Sequence, residues 1–385
     1  MEEKDKGNIT EDDYIEKEEG NEDIKAENPF NPNDININIV TRTIGQLIDM
    51  LRYDEILIPS YQRLPNLWKT KQKSRFIESL MLNLPIPLFY FDETENKKWQ
   101  VIDGLQRIST LEHFVLGGSK DKTLSGNKNA LVLDDLEFKT EFNGLTWDKL
   151  PRDIQRRIEV CQVTINLIQK GTPEEVKYSI FSRINQGGIE LEAQEIRTAL
   201  FQGYKIDFLK TLISHQTIVG QSFALATNNS VPSKRQEDLD FATRFISFYI
   251  LGYEKYEPDM DLFQIQGMKS IPIEAIKLDK IGQSFQQAMQ LSYDIFGIDA
   301  FRKTVKVKVK KINKPLFEII SVYFASLDSS DKENLIRKKD NFKNDFIELQ
   351  KDEQFWNAIT TSTASKDSVK KRHEMFKELI NRFIK

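Results

Sequence analysis

The most constraining feature of this chain is a strand that passes into a helix across two residues. Val101-Ile102-Asp103-Gly104-Leu105-Gln106-Arg107 begins as an apolar run, and from Leu105 the positions Ile108, Leu111 and Val115 follow a helical period. Such a switch demands a sharp backbone turn at Asp-Gly, which glycine allows because it carries no Cβ. The first N–H groups of a helix starting there have no partner in the helix and form a site for an anion. In that first turn Arg107 can bind phosphate oxygens with two parallel N–H groups, and Gln106 can orient a water. Asp103 can accept a proton from water or hold a divalent metal. The plainer reading makes Asp-Gly an ordinary turn and Arg107 a surface cation, and spacing alone does not choose between them.

The flanking pattern predicts an α+β front half and an all-helical back half. Ile44, Leu47, Ile48 and Leu51 recur at helical spacing, and Ile56-Leu57-Ile58 reads as a strand closed by Pro59. Phe76, Ile77, Leu80 and Met81 form a second helical stripe, stopped by Pro85-Ile86-Pro87. Leu88–Phe91 and Trp99–Ile102 suit a β-hairpin, Leu131–Leu133 a short strand, and Cys161–Ile168 alternates as a strand. Thr172-Pro173-Glu174-Glu175 opens a helix through a capping threonine, a first-turn proline and two acids. Beyond Leu191 nearly every segment reads as helix. Lys303 to Lys311 alternates lysine with Val305, Val307 and Val309, which predicts a lysine-protected edge strand or, alternatively, a phosphate-backbone contact for DNA.

Composition narrows the function classes. Hydrophobic residues are 39% of the 385, enough for a sizeable core, and no run reaches the roughly 18 apolar residues of a membrane span. The acidic start differs from a secretory leader, so the expectation is a cytoplasmic protein without a membrane partner. One cysteine and three histidines cannot build a Cys/His zinc cluster. Residues 1–27 hold twelve acidic and four basic side chains, a balance of −8, which leaves +4 for the rest of a chain whose net charge is −4. We expect residues 1–38 to be disordered, since so little apolar surface cannot offset the entropy of ordering. An alternative is that this segment mimics nucleic acid and occupies a basic site until displaced.

A second polar cluster, Ser60-Tyr61-Gln62-Arg63 with Trp68, offers a guanidinium for phosphate and rings that can stack on a base. The alternative is that Tyr61 and Trp68 are core and Arg63 their neighbour. Together, Ile-Pro-Ser-Tyr-Gln-Arg at 58–63, Trp68 and Asp-Gly-Leu-Gln-Arg at 103–107 resemble two motifs of the N-terminal domain family of GmrSD type IV restriction enzymes. Phe181-Ser-Arg-Ile-Asn-Gln-Gly-Gly188, with Leu191 and Gln194-Glu195-Ile196-Arg197, resembles its third block. Gln236-Glu237-Asp238, Ile312 to Glu318 and Phe355-Trp356-Asn357-Ala358 resemble its helical continuation, which extends the likeness over roughly residues 40–385.

The resemblance implies a ParB/sulfiredoxin-like domain with a small mixed sheet at residues 39–203, followed by a helical domain at 204–385. It implies a sensor or regulator that binds and hydrolyses nucleoside triphosphate within DNA restriction or anti-phage defence. Asp103, Gln106 and Arg107 would be catalytic, with Mg2+ at Asp103. Tyr61, Gln62, Arg63, Trp68, Gly104, Arg183, Asn185, Glu195 and Arg197 would bind the nucleotide in one shared cleft. The alternatives are a protein that binds or cleaves DNA with the same cleft, or an interaction module without turnover. Two departures stand out. Position 105 is leucine where the family has glutamine, which puts turnover in question, although Leu105 fits the apolar stripe. The histidine-dependent HNH nuclease of the full-length enzymes is not expected here, since His373 stands alone in the last helix, so DNA cutting would fall to a separate nuclease or defence subunit or to the cleft itself. His113 reads as a structural side chain more readily than a catalytic one.

Overall fold

A computed structural model describes residues 14–18, 21, 30–57, 68–94, 96–117, 129–184 and 191–384. The chain divides into two compact units, residues 30–191 and residues 1–29 with 192–385. The division falls at 191/192, twelve residues before the 203/204 boundary that the resemblance implies, and Glu192 already caps the first helix of the second unit.

The first unit is α+β. Five strands, β1 (Ile37–Thr43), β2 (Ile56–Leu57), β3 (Phe89–Glu93), β4 (Trp99–Asp103) and β5 (Gln162–Ile168), form one mixed sheet in the order β1-β5-β3-β4-β2. β1 and β5 are antiparallel, β5 and β3 parallel, β3 and β4 antiparallel with a register shift at Tyr90/Phe91, and β4 and β2 parallel. Its helices are α1 (Ile44–Arg52), α2 (Thr70–Met81), α3 (Leu105–Leu111), α4 (Arg152–Val160) and α5 (Glu174–Ile184). Thr43 ends β1 and starts α1 by a reciprocal cap, its hydroxyl accepting from Gln46 N while Gln46 Oε1 accepts from Thr43 N. The stripes of α1 and α2 meet Phe89, Phe91, Val101, Val163 and Ile165 in one apolar core. Each such side chain contributes about 1.5–3 kcal/mol when fully buried.

Several expectations need correction. Residues 37–43, mostly read as part of a disordered lead or of a helix start, are strand β1. Leu131–Leu133 forms no strand, although both leucines are buried and the Leu133 amide donates to Leu145 O at 2.9 Å. Residues 303–311 form no edge strand either: Lys306 has φ +57, which interrupts extended backbone, and Lys303 is buried against Glu16. The expected disorder over 1–38 does not hold for Tyr14–Glu18 and Asn21, which are described and bonded to the helical unit.

The second unit is helical: α6 (Ala193–Leu200), α7 (Tyr204–Ile213), α8 (Ile218–Thr227), α9 (Glu237–Leu251), α10 (Met260–Lys269), α11 (Ala275–Phe296), α12 (Lys314–Ser326), α13 (Ser329–Arg337), α14 (Lys339–Leu349), α15 (Glu353–Thr360) and α16 (Lys366–Asn381). Phe223, Phe241, Phe285 and Phe317 interlock at centroid spacings of 4.9–6.4 Å. The same unit holds a buried ion network: the Arg244 and Arg372 guanidinium groups and His373 Nε2 all meet the Glu318 carboxylate at 2.8–2.9 Å. Among the described residues no helix is long and apolar enough to cross a membrane.

Candidate functional site

The strand-to-helix turn is built as the sequence requires. Asp103 ends β4, Gly104 takes φ +99, and α3 begins at Leu105. Glycine is needed for two reasons: the left-handed φ disfavours any side chain, and a Cβ would lie 2.5 Å from Phe89 Cδ1. α3 passes directly into a π-helical stretch over Glu112–Leu116.

Arg107 points inward. Its Nη1 donates to Pro87 O and, at 3.3 Å, to Leu88 O; its Nη2 donates to Leu88 O at 3.3 Å and to Asp103 Oδ2 at 2.9 Å. The guanidinium also lies 4.4 Å from the centre of the Phe89 ring. Burial pulls the Arg107 pKa down and the Asp103 carboxylate draws it back toward its usual value. Arg107 therefore joins the start of β3, the end of β4 and the first turn of α3, and it fixes the Asp103 carboxylate. Asp103 itself has a half-exposed side chain.

Gln106 joins the second motif to the first. Its Oε1 accepts the Trp68 backbone N–H at 3.1 Å, and the Trp68 ring packs edge-on against Phe76 at 5.9 Å. The half-buried Trp68 ring is thus partly a core group. Tyr61, Gln62 and Arg63 lie outside the described residues, as does Asn185. Arg183 is exposed in the last turn of α5. His113 Nδ1 faces Lys73 Nζ at 3.2 Å, and burial followed by that ammonium holds His113 below its usual pKa.

The structure thus brings together Trp68, Asp103, Gly104, Gln106 and Arg107. Glu195 and Arg197 belong to the other compact unit. There Arg197, almost fully buried, donates to Asp240 at 2.6 Å, Asp261 at 2.7 Å and Gln194 at 2.8 Å. Glu195 Oε2 accepts from Glu192 N at 2.8 Å and pairs with Arg235 at 3.3 Å. Arg197, with Gln194, Asp240 and Asp261, borders a cavity of about 380 Å3 that is also lined by Glu18, Arg244 and Lys314.

Sequence reasoning missed two features. One is that cavity, whose signal was the presence of Arg244, Lys314 and Glu318 inside otherwise apolar helical stripes. The other is the buried pair of Asp92 on β3 and Lys177 on α5, with Lys177 Nζ 2.8 and 2.9 Å from the two carboxylate oxygens. Burial raises the Asp92 pKa although Lys177 opposes the shift.

For a metal, among the described residues no group of three His, Cys, Asp or Glu side chains is placed to hold an ion. At the turn, Asp103 offers a half-exposed carboxylate. That donor suits Mg2+, which commonly takes one or two carboxylates and completes its shell with water and phosphate oxygens.

No curated protein and no solved structure matches the chain. A family model does match, over residues 44–202, and it is that of the GmrSD restriction endonuclease, N-terminal domain. The matched span includes the whole Asp103–Arg107 turn and Trp68, and it ends at residue 202, so the expected helical continuation at 236–238, 312–318 and 355–358 lies outside it. Residues 44–202 of this chain therefore match the GmrSD restriction endonuclease N-terminal domain family.

Proposed function

We propose that this domain binds a nucleoside triphosphate at the Asp103–Arg107 turn and hydrolyses it, as the sensor or regulator of a DNA restriction system. The family match supports the restriction setting. The carrying observation is the fixed placement of Asp103: its carboxylate is half exposed, yet one oxygen is held at 2.9 Å by a buried guanidinium that three further contacts immobilise. A preoriented carboxylate at the exit of a strand is what proton abstraction from water, or support of a phosphate-bound Mg2+, requires. Mg2+, when bound with the nucleotide, would neutralise developing charge on the phosphates.

In this reading Arg107 is a positioning residue. Its donors are directed at protein acceptors, so the phosphates would be met by other cations, with Arg63 and Arg183 the candidates the sequence offers. Gln106, fixed by its bond to Trp68, would set the side of the turn on which water is held. Leu105 is half-buried against the core, consistent with a packing role for the position where the family carries glutamine.

Phosphate release from a panel of nucleoside triphosphates with Mg2+ tests the reading. Asp103→Asn should lower turnover by about a hundredfold or more while nucleotide still binds, in line with general-base contributions of about 10²–10⁴. Arg107→Lys should lower turnover while disturbing the pH profile, since a lysine cannot hold the carboxylate and two carbonyls together. Absence of phosphate release from the parent chain under all nucleotides, with metal-dependent nicking of DNA instead, would replace this reading with a nuclease.

A further inference from the structure

The acidic segment at the start of the chain has a built seat in the helical unit. Glu16 N donates to Ile312 O at 2.8 Å and Ile312 N donates to Tyr14 O at 2.9 Å, a one-residue parallel bridge to the backbone just before α12. The side chains then alternate. Glu16 and Glu18 turn toward the helices while Lys17 is exposed, the spacing of an extended segment. The Glu16 carboxylate takes the Lys303 ammonium and, at 3.0 Å, Asn313 Nδ2. The Glu18 carboxylate receives Arg244 Nη1 at 2.8 Å, Arg244 Nη2 at 3.1 Å and the Thr363 hydroxyl at 2.7 Å. Asn21 completes the seat, donating to Thr363 Oγ1 at 2.9 Å and accepting Ala364 N at 3.0 Å.

Charge balance makes this seat specific for an anion. Arg244 and Arg372 are both buried, and both lean on the single carboxylate of Glu318. Burying two guanidinium groups against one carboxylate leaves an uncompensated positive charge, which is costly without a second anion. Glu18 supplies it. On the receiving side the groups are already fixed: Arg244 Nε by Glu318, Asn313 Nδ2 by Ile359 O at 2.8 Å, and the Lys303 ammonium over the Trp356 ring at 4.8 Å.

We propose that this slot is a binding site for an acidic peptide of the form Glu-x-Glu, and that Tyr14–Glu18, with Asn21, are its occupant in cis. Recognition combines strand addition at Ile312 with paired carboxylate pockets one residue apart. The occupant also closes a wall of the nearby cavity, because Glu18 and Asn21 border it together with Gln194 and Arg197. Gln194 Nε2, buried there, has no hydrogen-bond partner among the described residues, so the cavity retains a donor for a further group. Exchange of the occupant for an acidic segment of another chain would open that wall and reclose it.

The test uses the full chain and a fluorescent peptide spanning residues 12–23. Removing the charges of the cis occupant by Glu16→Gln and Glu18→Gln should let the acidic peptide bind at least about tenfold more tightly than it binds the parent chain, with affinity falling as salt rises. A peptide carrying the same two glutamines should not bind. Amide exchange at Glu16 and Ile312 should be slow in the parent and faster in the double variant. Equal binding to both chains, no binding of the acidic peptide to the double variant, or equal binding of the neutral peptide would overturn the proposal.

Discussion

Gly104 shows how closely a single residue is specified. It combines φ +99 with a neighbour, Phe89 Cδ1, that a Cβ would meet at 2.5 Å, whereas Gly144 has a comparable φ of +84 and open space around it. Gly144→Ala should therefore cost only the left-handed backbone penalty, about 1–2 kcal/mol. Gly104→Ala must also displace the Phe89 ring and, through it, the Arg107 guanidinium, and should cost about 2–4 kcal/mol. Urea unfolding of the two variants separates the terms. Equal midpoints would mean that Phe89 yields freely and that the close approach has no energetic weight. Arg107 carries the related lesson that a cation in such a motif can be directed at the protein's own acceptors. Its partners Pro87 and Leu88 stand some twenty residues earlier in the chain, so spacing within the motif reveals the pair with Asp103 but not the inward direction of the guanidinium.

At the scale of elements, α2 does more than cover the sheet. Its buried Glu78 accepts three consecutive backbone amides, from Glu137, Phe138 and Lys139, at 3.0, 2.7 and 2.8 Å. Burial alone would raise the Glu78 pKa, and the three amides with Arg75 more than reverse that effect. Glu78→Gln replaces one acceptor oxygen by an N–H2 group facing N–H donors and should cost about 1–3 kcal/mol. Hydrogen exchange should then quicken at amides 137–139 and stay slow in β3 and β4. Uniform acceleration across the unit would show that Glu78 supports the sheet and not that segment alone. This anchoring also explains what the sequence conceals. Elements with a sustained period were legible: the stripes of α1 and α2, the β3–β4 hairpin, the alternation of β5 and the turn into α3. Residues 131–150 have no period because their order comes from Glu78 and from buried leucines. β1 was hidden because asparagine alternates with isoleucine beside an acidic lead, and Ile39 remains 74% exposed. Lysine–valine alternation at 303–311 imitated a strand, yet side-chain partners at Glu16 and Asp299 hold that segment instead. In the candidate site, Asp103, Gly104 and Trp68 were legible from residue type and spacing. The separation of Glu195 and Arg197 into the other unit was not, because a break between compact units leaves no mark when helices lie near it on both sides.

Taken as a whole molecule, the two units are stabilised by different physics, and acid should separate them. The helical unit depends on buried charge. Glu318 is first pushed up by burial and then drawn far below the ordinary carboxylate range by Arg372 and Arg244; Asp240 is drawn as far down by Lys314 and Arg197. Glu18 is lowered in the same sense by Arg244. A carboxylate depressed in the folded state stabilises fully above its unfolded value, 4.5 for Glu and 3.8 for Asp, and loses that contribution as pH falls below it. His373 adds to the same trend: burial holds it below 6.5, so protons favour the unfolded unit once pH drops under that value. Asp238 and Asp259 are raised by burial and oppose the trend, without the large shifts of Asp240 and Glu318. The sheet unit rests on an apolar core; there the depressed Glu78 and His113 lose stability in acid as well, and Asp92 opposes them, since its raised pKa makes its contribution largest in acid. Lowering pH from 7 should therefore weaken the helical unit slightly below 6.5, through His373, and strongly once pH falls under 4.5, through Glu318, Asp240 and Glu18, so that helices melt before the sheet is disturbed. In a Trp356→Phe background the remaining tryptophans, Trp68, Trp99 and Trp147, all report on residues 30–191. Far-UV circular dichroism should lose helical signal while their fluorescence holds, and His373→Asn should flatten the part of the loss between about pH 6.5 and 5, where an unshifted histidine titrates. Simultaneous loss of both signals would mean that the units unfold as one cooperative body, and the division of stabilising forces drawn above would have no thermodynamic expression.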